Sequence, residues 1–195
     1  MKNRSHSPLL PPPASDGPLL RPWRRGDAPA VLEAFATPEM ARQADQPVDS
    51  LDAAARWTGR RTAEWEAGSA YALAVVDGTT GTVVGNVAVG AVNRLHGLGW
   101  VSYWTTPAAR GKGVATYACR AVARWAFDDL GLFRLELGHR TNNRASCRVA
   151  EAAGFTVEGL QRQRLEYDGV RHDVELHARL ATDPDPDPDP APDPG

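Results

Sequence analysis

Apolar residues recur at helical spacing between residues 27 and 68, gather into short strand-like blocks from 70 to 105, and alternate between the two rhythms from there on. Asp27 stands where an N-cap would, with Pro29 in the first turn of a short helix predicted to reach about Ala36. Ser50 is placed to cap a second helix, in which Leu51, Ala54, Ala55, Thr58, Thr62 and Trp65 share one face and Gly68 supplies the stop. Strands are predicted over 70–76, 82–92 and 98–105. The run Asp77-Gly78-Thr79-Thr80-Gly81 joins the first pair as a hairpin loop, so the three form an antiparallel meander.

After Thr106-Pro107 the order becomes strand, glycine turn, helix. Arg110-Gly111-Lys112-Gly113 leads into a helix with Val114, Ala118, Val122 and Trp125 along one stripe, closed by Gly131. A strand over 132–137 follows, then a helix that starts at Asn143 and ends at Gly154, with Phe155 as the apolar residue beyond its cap. The last segment is a hairpin turning at Asp168-Gly169. Its second strand alternates Val174, Leu176, Ala178 and Leu180 with Asp173, Glu175, His177 and Arg179. The element order α, α, β, β, β, α, β, α, β, β predicts an α/β (α+β) domain: a mixed, mostly antiparallel sheet with helices on both faces.

Composition sharpens the boundaries. Ten of the 16 prolines lie in residues 1–17 and 182–195, which reads as a disordered leader, a domain over 18–181, and a disordered Asp-Pro tail. A hydrophobic content of 42% and a formal charge of only −2 exclude a wholly disordered chain. Without the five aspartates of the tail the charge is +3, too little to indicate direct nucleic-acid binding. The two cysteines, Cys119 and Cys147, lack metal-ligand spacing, and His139, His172 and His177 are widely spaced, so isolated histidines are expected and no metal site. No apolar run approaches the ~18 residues of a membrane span and no signal peptide follows Met1, so a cytosolic protein without membrane association is expected.

One segment carries chemistry on its own. Between a strand and a helix, Arg110-Gly111-Lys112-Gly113-Val114-Ala115 offers successive backbone N–H groups at a helix N-terminus, with Arg110 and Lys112 adding mobile positive charge, a cradle for an anion such as a pyrophosphate. A nucleoside-triphosphate loop would need Ser or Thr after Lys112, where Gly113 stands. A dinucleotide fingerprint would need a parallel βαβ unit and a small residue at the place of Thr116.

Tyr103-Trp104, the 110–115 loop, the phrase Phe127-Asp128-Asp129-Leu130-Gly131-Leu132, and Asn143-Arg144-Ala145-Ser146 leading to Ala153-Gly154-Phe155 and Glu158-Gly159 together resemble the GNAT superfamily of N-acetyltransferases, in particular its RimJ/RimL branch. That branch acetylates N-terminal amines of ribosomal proteins and also includes enzymes for small amines and antibiotics. The resemblance covers about residues 18–181. It implies a GNAT fold whose sheet splays into a central V holding acetyl-CoA, with backbone near Trp104, Thr105 and Thr106 meeting the pantetheine. Arg110, Gly111, Lys112, Gly113, Val114 and Ala115 would meet the pyrophosphate, and a backbone N–H on the splayed strand the thioester oxygen. Asn143 and Ser146 match the family's Asn-x-x-Ser. Asn143 is read as helix cap and cofactor contact, Ser146 as cofactor contact and as the catalytic donor to the departing thiolate.

Some RimL-like enzymes carry a functional glutamate on the strand after Glu158-Gly159, but registering the motifs puts Leu165 there and a regular strand turns Glu166 to the opposite face; only a bulge would restore it. A base-poor site favours an acceptor that is already partly neutral. An α-amine, with a reference pKa of ~7.7 to 8.0, fits better than a lysine at ~10.4. The expected reaction is direct attack of a protein N-terminal or small-molecule amine on acetyl-CoA without a covalent enzyme intermediate, Cys119 reading as a packing residue. A non-catalytic acyl-CoA-binding module, a transferase for another acyl-CoA such as succinyl-CoA, and a homodimer stay open. Trp57 and Trp65 fit either core packing or an acceptor pocket, and the arginines at 21, 24, 25, 56, 60 and 61 read as solvated faces.

Overall fold

The computed structural model describes residues 17–44 and 46–186. In chain order it contains β1 (Leu19–Pro22), α1 (Ala28–Phe35), α2 (Pro38–Ala41), α3 (Leu51–Ala67), β2 (Tyr71–Val76), β3 (Val83–Asn93), β4 (Leu98–Thr105), α4 (Val114–Asp128), β5 (Arg134–Arg140), α5 (Arg144–Ala152), β6 (Thr156–Tyr167) and β7 (Val170–Leu180). All seven strands join one sheet in the order β1-β2-β3-β4-β5-β7-β6. Only the β4–β5 pair is parallel.

Each face of the sheet has its own apolar layer. Leu73, Val75, Val87, Val89, Val101, Leu135 and Leu137 meet Ala118, Cys119, Val122 and Ala126 of α4 and Ala150 of α5. On the other face Ala72, Ala74, Val76 and Ala88 meet Val31, Phe35 and Trp57 of α1 and α3. Small residues on that second face let the helices approach closely, and Trp57 fills the volume edge-on to Trp23 at 5.0 Å; Trp65 packs against the first layer, stacked on Trp125 at 5.6 Å. Both tryptophans of α3 are therefore packing residues.

Several local expectations are corrected. Leu19–Pro22 is an edge strand that four residues, one of them proline, were too short to announce. Asp27 does not cap α1; its carboxylate turns back to accept from the Arg24 N–H at 2.8 Å and from both Arg21 nitrogens at 2.7 Å. Ser50 does cap α3, accepting from Ala53 N–H at 3.2 Å. The buried face of α3 is Ala53, Ala54, Trp57 and Thr58, whereas Leu51 is 54% exposed. β5 begins two residues later than predicted and runs on to Arg140. The tail expected from 182 onward starts as an ordered extension: Leu180 N–H donates to Asp183, and Asp185 bridges the buried Arg179 (2.7 Å) and Arg124 (2.9 Å). Residues 1–16 of the leader predicted over 1–17, and the rest of the tail, 187–195, lie outside the described residues.

Candidate active site in the sheet fork

β4 and β5 pair over only three positions, Leu98 with Arg134, Gly99 with Leu135 and Trp100 with Glu136. β4 then continues to Thr105 and β5 to Arg140 without pairing each other, which opens the V-shaped gap. Glycine sets the packing at the fork. A Cβ on Gly138 would lie 2.9 Å from the Trp100 ring and 3.0 Å from Val174, so Gly138 makes room for the indole where the strands part. In β3, Ala91 adopts a left-handed φ of 47° inside an irregularity between Gly90 and Asn93, directly across from Trp100 and Leu98. Such a bulge increases local twist.

Pairing with β3 determines which backbone groups of β4 reach the gap. Thr106 N–H donates to the Val84 carbonyl at 2.9 Å. By the alternation of an antiparallel ladder, Trp104 and Ser102 also direct their backbone groups at β3, and Val101, Tyr103 and Thr105 direct theirs into the fork. Of the residues expected beside the cofactor, Trp104 and Thr106 thus turn their backbone groups to β3, and Thr105, with Tyr103, turns its own toward the gap. The Trp104 side chain packs at 6.1 Å from Trp23 and 5.9 Å from Phe35, on the face away from α4.

Beyond Thr105 a short turn delivers the chain to α4. Gly111 and Gly113 both have φ of 73°, a left-handed conformation that costs any L side chain, and the space where a Cβ would project is open in both cases. Glycine is thus required here for backbone geometry rather than for room. The first intrahelical bond runs from Tyr117 N–H to the Gly113 carbonyl, and no side chain caps the helix, so the amides of Val114, Ala115 and Thr116 stand ahead of the bonded ladder. A 15-residue helix ends here with its positive pole beside the exposed Lys112.

Across the gap, Asn143 caps α5 by accepting from Ser146 N–H at 3.1 Å. This capping holds the half-buried Ser146 at the open end of the fork, near Tyr103. Burial pushes the Tyr103 phenol above its ordinary range, and its hydroxyl, although close to Ser146, is a buried polar atom without a hydrogen-bond partner among the described residues. In the sequence Tyr103 belongs to the Tyr103-Trp104 motif and carries no role of its own. Its position on the gap-facing side of β4 was the available signal.

Other candidates separate cleanly. Cys119 is fully buried in the apolar layer and burial raises its thiol, which suits packing and not nucleophilic attack. The bulge considered for β6 exists, with Gln161 opposite Val174, Leu165 opposite His172, and Gln163 at a left-handed φ of 52° between them. It inserts two residues, so the facing pattern is unchanged and Glu166 stays on the surface, paired with Arg171 at 2.7 Å. The histidines are a further correction. His139 and His177 are not isolated but lie 2.9 Å apart, with Glu175 and Cys147 beside them; His172 stands apart, against Tyr167.

Comparison with known proteins agrees with this geometry. The model of the Acetyltransferase (GNAT) domain family matches residues 19–156. YjcK of Bacillus subtilis, described as a probable N-acetyltransferase, is 39% identical over 84 residues, covering 43% of this chain and 46% of YjcK. YdaF of the same organism, proposed to be a ribosomal N-acetyltransferase, is 30% identical over 100 residues, 51% of this chain and 55% of YdaF. The chain thus spans about half the length of these two curated relatives. The structure of Mycobacterium smegmatis RimJ in complex with CoA-disulfide superposes with a TM-score of 0.76 at 26% identity, covering 87% of this chain and 88% of that one. With the fork, the uncapped helix and a family match across most of the domain in agreement, the chain belongs to the GNAT acetyltransferase family and resembles its RimJ/RimL branch.

Proposed function

We propose that this protein is an N-acetyltransferase that moves the acetyl group of acetyl-CoA onto a primary amine by direct attack. The observation that carries the reading is the pairing of an open strand fork with uncapped, glycine-led amides at its mouth. Val114, Ala115 and Thr116 would hold the pyrophosphate, with Gly111 and Gly113 shaping the turn and Arg110 and Lys112 adding charge. The gap-side backbone of Tyr103 and Thr105 would pair with the pantetheine in the manner of an added strand. The cosubstrate supplies an activated acyl group. The chain's residues bind it, exclude water from the fork and place a donor near its sulfur.

Ser146 is the proposed donor, held by the Asn143 cap and standing near the Tyr103 hydroxyl, which has no hydrogen-bond partner among the described residues. Both carboxylates of β6 are tied in ion pairs, Glu158 with Arg134 and Glu166 with Arg171. An acceptor that must be neutral to attack then has to bring a low pKa of its own. Near pH 7 an α-amine is roughly a tenth neutral, while a lysine would spend about 4 to 5 kcal/mol to lose its proton. A protein N-terminus or a small low-pKa amine is therefore the proposed acceptor class.

A panel of N-terminal peptides, polyamines and lysine side-chain mimics, with acetyl-CoA and a chromogenic readout of released thiol, tests this. Acceptor-dependent release with α-amines leading is expected. Cofactor binding with no release for any amine would leave a binding module instead.

A further inference from the structure

Behind Ser146, on the face of the sheet covered by α5, four ligating side chains converge from three elements: His139 of β5, Cys147 of α5, and Glu175 and His177 of β7. Register explains the meeting, because His139 is the direct cross-strand partner of Glu175, and His177 is two residues further along β7 on the same face. This is the charged face of the alternating last strand, and it is buried: the His139 and His177 side chains are 5% and 0% exposed. The four ligand atoms all lie within 4.8 Å of one another.

The orientation of the two rings matters most. His139 Nδ1 lies 3.0 Å from the Arg140 carbonyl and His177 Nδ1 lies 3.4 Å from the Phe155 carbonyl. A carbonyl can only accept, so each Nδ1 carries a hydrogen, and in the neutral rings both Nε2 atoms present lone pairs. Those lone pairs face each other at 2.9 Å, and both face the same Glu175 oxygen, at 3.4 and 3.2 Å. Three acceptors are turned on one point, and the one donor beside them, the Cys147 thiol, reaches only the carboxylate. Cys147 Sγ stands 3.5 Å from that same oxygen.

Ligand atoms of a tetrahedral zinc ion with bonds of about 2.0 to 2.3 Å are about 3.3 to 3.8 Å apart; the 3.2 to 3.5 Å contacts to the Glu175 oxygen fall near this range, and the 2.9 Å between the two Nε2 atoms has to open by a few tenths of an ångström on binding. Histidines that donate Nδ1–H to backbone carbonyls while offering Nε2 are also the usual second shell of such a site. Charge closes the argument, since a thiolate and a carboxylate offset a divalent cation in a buried place. Binding of the ion releases the Cys147 thiol proton to solvent, as for any thiolate ligand.

We propose that His139, Cys147, Glu175 and His177 form a four-coordinate site for a borderline-soft divalent ion, best matched by Zn²⁺, which ties the first turn of α5 to β5 and β7. Cys147 and Glu175 are only half-buried and provide the path of entry. The site would clamp the turn that carries Asn143 and Ser146 without touching the cosubstrate, so its occupancy can be read independently of acetyl transfer.

The test is titration of Co²⁺ into the chelator-treated full chain under a phosphine reductant, followed by displacement with Zn²⁺. One equivalent is expected to bind, with the intense visible bands of four-coordinate Co²⁺ and a near-ultraviolet thiolate charge-transfer band, both erased by Zn²⁺. Cys147→Ser should lose the charge-transfer band, and both Cys147→Ser and Glu175→Gln should weaken Zn²⁺ binding by about tenfold or more while keeping the native circular dichroism spectrum. If the imidazoles share a proton instead, the folded wild type takes up neither ion at micromolar concentration, and the proposal fails. A cobalt spectrum unchanged by Cys147→Ser would place the ion elsewhere and overturn it equally.

Discussion

At the scale of single residues, the site rests on a serine whose backbone is fixed and a phenol whose hydroxyl is unpartnered. Replacing Ser146 by Ala removes the proposed donor and leaves the Asn143 cap, which uses only the Ser146 N–H. Turnover at saturating substrate should drop by about 10² while CoA affinity is retained; unchanged turnover would take Ser146 out of the reaction. Asp27 carries a separate prediction about pH. Burial works to raise its carboxyl, but the Arg21 and Arg24 hydrogen bonds outweigh it and hold the group below its ordinary 3.8. A depressed value in the folded state gives stability that is present above the unfolded value and lost as pH falls through the folded one. Asp27→Asn should therefore cost about 1 kcal/mol near pH 7, after allowance for solvent screening, and the gap from wild type should close below pH 3.8 in urea titrations.

Among the elements, the fork and the turn before α4 make opposite demands of glycine. Gly138 is needed for space, so Gly138→Ala should press on Trp100 and Val174 and lower the unfolding free energy by about 1 to 3 kcal/mol. Gly113 is needed for its left-handed φ, so Gly113→Val should strain the turn by about 1 to 2 kcal/mol and reduce CoA affinity more than stability alone explains. The turn was legible in the sequence because two glycines flanking a lysine between a strand and a helix have few structural uses. The face of β7 was less so. Alternation separates Glu175, His177 and Arg179 from Val174, Leu176 and Ala178, but a period of two does not say which face a helix will cover, and here α5 covers the charged one. The convergence of His139 with His177 was invisible for a related reason: 38 residues separate them, and only the β5–β7 register brings them together.

For the molecule as a whole, the mixed sheet, the two helical layers and the order of all long elements follow from hydrophobic rhythm and punctuation. What rhythm missed is short or held by tertiary contacts, such as the four-residue β1 and the start of the acidic tail. The tail matters to stability because Arg179, 2% exposed at its side chain, has, among the described residues, the Ala153 carbonyl and Asp185 as partners for its terminal nitrogens. Asp185→Ala leaves a buried guanidinium half-satisfied and should cost about 1 to 3 kcal/mol in urea unfolding. A loss within about 0.5 kcal/mol, the usual range of surface changes, would show that solvent replaces the carboxylate.

Isothermal titration of CoA into the wild type and into a Gly111→Asp, Gly113→Asp double variant addresses the anion cradle at the mouth of the fork directly. The account predicts one exothermic site in the wild type and an affinity reduced by about a hundredfold, near 2.7 kcal/mol, in the folded variant, because two carboxylates then oppose the diphosphate at strained positions. Absence of any heat with the folded wild type, or equal affinity in the two proteins, would contradict it.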